Sequence, residues 1–381
     1  MIRSPLAGKL QQYLSDSVEV NGEAVVKGTI FLDRMINHLG KSCLVFEVML
    51  NPEFTAVQWI EFFIQYNFVE LVISKLRVFK NLNPKTLTYN NGIEMTCLAQ
   101  IIMHSITRHS YSSVVKLLKA DQFTKELVDI VFGTADHPIS YCCVDIIITL
   151  LEASPNMTNN YEDKNIPPIV AHMVAKQTEG SNIGNTPIQG IVNALRQASE
   201  EPVFGTLNWK GLRCIFVMLV SNWGILHNEM FAADAFSVCM DILFAKRTAT
   251  VLHLWIYDII SDLLYSEKTE RVIEWMNNYH LLDKIIEGFE KQAEQVQSER
   301  TEKRKFGYYE RIEYVPYLAQ LSTKIQDISK TITDFAGMLE QHPTSQTFFE
   351  QQVIPRERAI SEPLADVNSL RKPFAFGYGN Y

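Results

Sequence analysis

The sequence predicts an all-α chain folded as an armadillo/HEAT-like α-solenoid, and three observations carry that expectation. Apolar residues recur at helical spacing through nearly all of its 381 residues. Strict apolar/polar alternation, the mark of a half-buried strand, is scarce. Three segments repeat one another's apolar pattern without a gap. Little or no sheet is expected, because the hairpin-type dipeptides are limited to Asn21-Gly22 and Asn91-Gly92.

The helical period is plain in Leu212, Ile215, Phe216 and Leu219, and again in Val251, Leu252, Trp255, Ile256, Ile259, Ile260, Leu263 and Leu264. The repeat emerges when residues 59–76, 114–131 and 272–289 are aligned. Apolar residues coincide at Trp59/Val114/Val272, Ile60/Val115/Ile273, Phe62/Leu117/Trp275 and Phe63/Leu118/Met276, and then at Phe68/Phe123/Leu281, Val72/Leu127/Ile285, Ile73/Val128/Ile286 and Leu76/Val131/Phe289. Chance gives about two such coincidences in a chain that is 47% hydrophobic.

Between the two apolar halves stands a polar turn: Gln65-Tyr66-Asn67, Ala120-Asp121-Gln122 or Asn278-Tyr279-His280. Each copy therefore reads as helix, tight turn, helix. A partial fourth copy starts at Ala233-Asp234-Ala235-Phe236. The starts lie about one and about three to four periods apart for repeats of about 40 to 50 residues. One helical pair cannot bury both its faces, so neighbours must stack.

Along the chain, residues 1–40 read as an N-terminal segment with a first helix and 41–290 as the repeats. Residues 177–208, punctuated by Gly180, Gly184, Pro187, Gly190, Pro202 and Gly205, read as a polar insertion holding one short helix around 188–198. Insertions of this kind are expected to project from one face. Residues 291–305 are almost wholly charged or amide, which fits a linker or a helical extension. Residues 306–381 read as a C-terminal helical segment with an irregular tail.

Forty-three acidic against 35 basic residues leave a net charge of −8, so no positive field attracts phosphates or anionic lipid, and nucleic acid is not an expected partner. No apolar run approaches the roughly 20 residues that cross a bilayer, and the first residues lack a signal peptide's apolar core. Cytoplasm, with access to the nucleus, is the expected compartment. The six cysteines, Cys43, Cys97, Cys142, Cys143, Cys214 and Cys239, have no CxxC spacing and read as reduced, mostly buried thiols.

The minimal parts of an active site are missing: no GxGxxG, GxxxxGK[ST], HExxH or GxSxG occurs. His104 and His109 are five apart, which is not the i,i+4 spacing of a metal pair. Asp258 and Asp262 are four apart on a helix, and read as a solvated stripe opposite Ile256, Ile259, Ile260 and Leu263 rather than as an acid/base pair. Gly180 to Asn185 has neither the strand nor the lysine of a phosphate loop. No catalytic residue, cofactor or metal is expected.

The succession from Leu212 to Ala293 is more specific. A helix through Cys214 and Met218 is followed by Leu226-His227-Asn228-Glu229-Met230-Phe231, by Phe236 to Phe244, by the 252–264 helix and by Leu281-Leu282-Asp283-Lys284-Ile285-Ile286. This order resembles the SAPS-domain family, the regulatory subunits of Sit4/protein phosphatase 6-type serine/threonine phosphatases. In that family a charged stretch and a GYMGHLxxIAN-like motif follow. The matching place here is Glu313-Tyr314-Val315-Pro316-Tyr317-Leu318-Ala319-Gln320-Leu321-Ser322, which keeps the tyrosine and leucine and lacks both glycines, the methionine and the histidine. Glu362-Pro363-Leu364-Ala365-Asp366-Val367-Asn368 resembles the family's LAxxN segment. The resemblance spans roughly residues 40–370.

It implies a non-catalytic scaffold that binds a serine/threonine phosphatase catalytic subunit of the protein phosphatase 6 type and brings it to substrates or to further scaffold proteins. Carried over by position, Tyr314, Tyr317, Leu318, Pro363 and Leu364 become the partner-binding candidates, with core packing as the alternative for each. Two other readings stay open. One is an unrelated armadillo-like adaptor in trafficking or the cytoskeleton. The other is an all-helical enzyme whose site is formed by residues 177–208.

Overall fold

The computed structural model describes residues 16–20, 23–37, 67–108, 113–133, 137–156, 165–177, 184–301 and 313–356. The front half of the first repeat copy, Cys43, His109, most of the Gly180 to Asn185 run, Pro363 and Leu364 lie outside them.

The described chain opens with an antiparallel hairpin, β1 (Ser17–Val20) and β2 (Glu23–Val26), in which Val20 stands opposite Glu23 across Asn21-Gly22. All other regular structure among the described residues is helical. The helices are α1 (Lys27–Asn37), α2 (Phe68–Lys80), α3 (Tyr89–Arg108), α4 (Ser113–Leu118), α5 (Asp121–Gly133) and α6 (Pro138–Glu152). They continue with α7 (Pro168–Val174), α8 (Pro187–Glu200), α9 (Thr206–Val220), α10 (Gly224–Ala232), α11 (Ala235–Ala245) and α12 (Thr250–Ser266). The last are α13 (Thr269–Tyr279), α14 (Leu281–Thr301), α15 (Val315–Ser329), α16 (Thr333–Gln341) and α17 (Ser345–Phe348).

Asn91-Gly92, the second hairpin signal, instead starts a helix. The Asn91 side-chain oxygen accepts from Thr88 N (3.0 Å) and Thr88 Oγ1 (2.7 Å), while Asn91 N donates to Thr88 Oγ1 (3.3 Å). This reciprocal cap satisfies donors that a helix start leaves open, and it outweighs the dipeptide's turn preference.

The chain divides into two compact units, Met1–Ile242 and Leu243–Tyr381. In the first, helices pack on their neighbours and also three places on: α2 on α5, α3 on α6, α5 on α8, α6 on α9, α7 on α10. The second shows the same step, α12 on α15 and α13 on α16. The all-α solenoid expectation therefore holds. The three-place packing recurs in both units, beside two-place packing such as α5 on α7 and α8 on α10.

The aligned copies fold as helix, turn, helix where they are described: α4 and α5 form the second, α13 and α14 the third. Their shared columns are mostly core. Val72, Leu127 and Ile285 are each fully buried, as are Phe68, Phe123 and Leu281 to within 1%. In the first and third copies the residue before the second helix is left-handed, Asn67 at φ 54° and His280 at φ 56°. That single residue reverses the chain, and Asp234 (φ 61°) does the same ahead of α11.

The described part of the 177–208 segment, from residue 184 on, does not project. Its helix α8 begins with Pro187 and a capping box between Thr186 and Gln189, and it packs on α5, α7, α9 and α10. Ile188, Val192, Leu195 and Ala198 form a buried stripe at i, i+4, i+7 and i+10, so this stretch belongs to the core. Through Thr301, the charged stretch is the end of α14. Among the described residues no helix is long and apolar enough to cross a membrane, and Cys97, Cys142, Cys143, Cys214 and Cys239 are free thiols.

Candidate protein interface

Helix α12 has two faces with different fates. Leu252, Ile256, Ile259, Ile260 and Leu263 are fully buried. The opposite side keeps large apolar residues in water: Val251 is 63% exposed, Leu254 45% and Tyr265 62%. Asp258 and Asp262 lie between them, so the stripe runs apolar, acidic, apolar over a rise of about 21 Å. Partial burial pushes the Asp258 carboxyl above its ordinary value; Asp262 pushes the same way and Lys324 opposes.

One side of this stripe is a seam with α15. His253, Tyr257, Ser261 and Tyr265, spaced by four, share an edge of α12. The His253 ring meets Tyr314 (centroids 6.0 Å apart) and Tyr317 (5.8 Å), and Tyr257 meets Tyr317 (6.2 Å). Lys324 Nζ donates to Ser261 Oγ and lies 5.2 Å from the Tyr257 ring centroid and 5.3 Å from that of Tyr265. This cation contact holds the exposed Tyr265 ring in place. At the N-terminal ends, Glu313 N donates to Arg247 O (2.9 Å) and Thr250 Oγ1 donates to the Glu313 carboxylate. His253 Nε2–H donates to Lys246 O (2.7 Å), and burial pushes its imidazole below the ordinary value, against the opposing pull of the Lys246 carbonyl and the Glu313 charge.

Three of the five sequence-selected residues fall on this seam. Tyr314 is buried edge-on against Phe244, centroids 5.4 Å apart. Leu318 is fully buried over Gly288 of α14, where an added Cβ would stand 2.7 Å from Leu318 Cδ1. Both are packing residues in this unit. Only Tyr317 is half-exposed, bridging His253 and Tyr257. Pro363 and Leu364 lie outside the described residues. Sequence reasoning missed Leu254 and Tyr265 as surface groups and counted Val251 among the apolar periodic residues. The available signal was that α12 carries more apolar residues than one inward stripe can use.

The first unit holds a different feature, a cavity of about 340 Å³ between α5, α6, α8 and α9. Its floor is apolar: Val144, Ile147, Met173 and Cys214. Asn193, Gln197 and Asn208 stand at its polar edge. Among the described residues no Asp, Glu, His, Lys or Arg lines it, and burial pushes the Cys214 thiol up to about 12. Among the described residues no group of three or more His, Cys, Asp or Glu is placed to hold a metal ion.

Compared with protein-family models, characterised proteins and solved structures, the chain matches none.

Proposed function

We propose that this chain is a non-catalytic scaffold that holds another protein, and that its partner is a protein phosphatase 6/Sit4-type serine/threonine phosphatase catalytic subunit. The scaffold part rests on one observation, the exposed Val251, Leu254, Asp258, Asp262 and Tyr265 stripe on α12. A monomer gains nothing from leaving three large apolar side chains in water along one helix, and such patches mark interaction sites. The two carboxylates select a partner segment with basic residues between apolar ones. The phosphatase part rests on the resemblance carried by residues 212–293.

Affinity capture of the full chain from cells, followed by mass spectrometry, tests both parts. The expected result is a phosphatase catalytic subunit at near-equal amounts, lost in a Leu254→Glu variant that keeps its helical circular dichroism. Recovery of some other stable partner through the same stripe would remove the phosphatase and leave the scaffold. A capture profile unchanged by Leu254→Glu would remove the stripe. The second reading, an adaptor for a different partner, draws on the loss of both glycines and the histidine from residues 313–322.

A further inference from the structure

We infer that the cavity in the first unit is a binding site for a neutral organic molecule that is apolar over most of its surface and carries a hydrogen-bonding edge. Three properties support this, independently of the phosphatase reading. Its volume of about 340 Å³ lies in the range of ligand pockets and far above the water-sized voids of ordinary cores. At interior packing density it takes a molecule of roughly a dozen to fifteen non-hydrogen atoms.

The lining sets the charge. Among the described residues no ionisable side chain except the deeply buried Cys214 thiol lines the cavity, so a charged ligand would lose its hydration without compensation from them. Val144, Ile147, Met173 and Cys214 below, with Ile191 and Leu207 beside them, offer only carbon and sulfur.

The edge sets the polar contact. Asn193 already accepts from Arg196 Nη1 (3.0 Å). The side chains of Gln197 and Asn208 make no hydrogen bond among the described residues, so two amides at the cavity's edge keep both donor and acceptor available. An amide, lactam or similar group complements them.

The wall is open because its residues are small. Gly190 and Ala194 are spaced by four on α8 and line the cavity, while Gly211 of α9, which lines it too, packs against Ile191 and Leu195, where an added Cβ would stand 3.4 Å from Ile191 Cγ2 and 3.5 Å from Leu195 Cδ2. Ala194 is exposed, so a larger side chain there blocks the cavity from outside without entering the core.

The test is titration of the full chain with 2-quinolinone, an apolar bicycle with a lactam edge, beside naphthalene, which lacks that edge, and 2-naphthoate, which is charged. The ε-methyl resonance of Met173 is followed by NMR with methyl-labelled methionine, and that of the buried Met230, outside the cavity, serves as control. The expected result is saturable 2-quinolinone binding that shifts Met173 and not Met230. Ala194→Phe should weaken it about tenfold or more, and paired Gln197→Ala and Asn208→Ala should weaken 2-quinolinone about fivefold while leaving naphthalene unchanged. Failure of 2-quinolinone to saturate, binding that leaves Met173 unshifted or survives Ala194→Phe, or equal affinity for 2-naphthoate would each overturn the inference.

Discussion

Replacing Gly288 by alanine adds one methyl group to α14 at its closest approach to α15. In an open helix the change is favourable by about 0.5–1 kcal/mol, because alanine loses less backbone entropy. Here the new Cβ would stand 2.7 Å from Leu318 Cδ1, 3.4 Å from Tyr314 Cε2 and 3.6 Å from Phe244 Cε1. A leucine tip can usually swing aside, but Leu318 is fully buried and the two rings occupy neighbouring directions. Overpacking of this kind costs about 1–3 kcal/mol, so the net expectation is a loss of about 1 kcal/mol.

The contact can be isolated by a double-mutant cycle. Leu318→Ala alone should cost about 2–5 kcal/mol, and in the Gly288→Ala background the added methyl fills part of the space, so the cost should shrink by about 1 kcal/mol or more. Urea unfolding followed by far-UV circular dichroism measures the four stabilities, and hydrogen exchange by mass spectrometry assigns the change to α14 and α15. A Gly288→Ala protein as stable as the parent, with no coupling to Leu318, would refute the close packing and with it the placement of Leu318 in the core.

Two further perturbations follow from burial. Cys143, Cys214 and Cys239 are buried, with the thiols of Cys214 and Cys239 pushed up to about 12 and that of Cys143 raised as well, so among the five described cysteines native-state alkylation at pH 8 should modify Cys97 first, Cys142 more slowly, and these three only on unfolding. Peptide mapping reads this directly, and fast labelling of Cys214 or Cys239 would contradict their burial. The lowered pKa of His253 means that the unfolded chain binds more protons once pH falls through the ordinary histidine value of about 6.5. Its contribution is therefore intact above that pH and lost below it. Urea midpoints at pH 7 and pH 5 should fall further apart for the parent than for His253→Gln; equal differences would mean that the ring is not held neutral.

The sequence by itself determined the helices, several of their turns and much of the buried set. These follow from local spacing: a 3.6-residue apolar period, Pro138 and Pro187 at helix starts, and polar breaks at Asn67 and His280 that admit a left-handed residue. Local spacing also marked a short helix around 188–198, although the glycines and prolines around it suggested a projecting insertion. Only the tertiary structure decided what covers each stripe. The three-place packing, the burial of Tyr314 and Leu318 over Gly288, the bare Val251, Leu254 and Tyr265 edge, and the cavity between α5, α6, α8 and α9 all depend on which helix lies opposite. An apolar residue looks the same in sequence whether a neighbouring helix or a partner is to bury it, and the partners of α12 and α8 are set by contacts far along the chain.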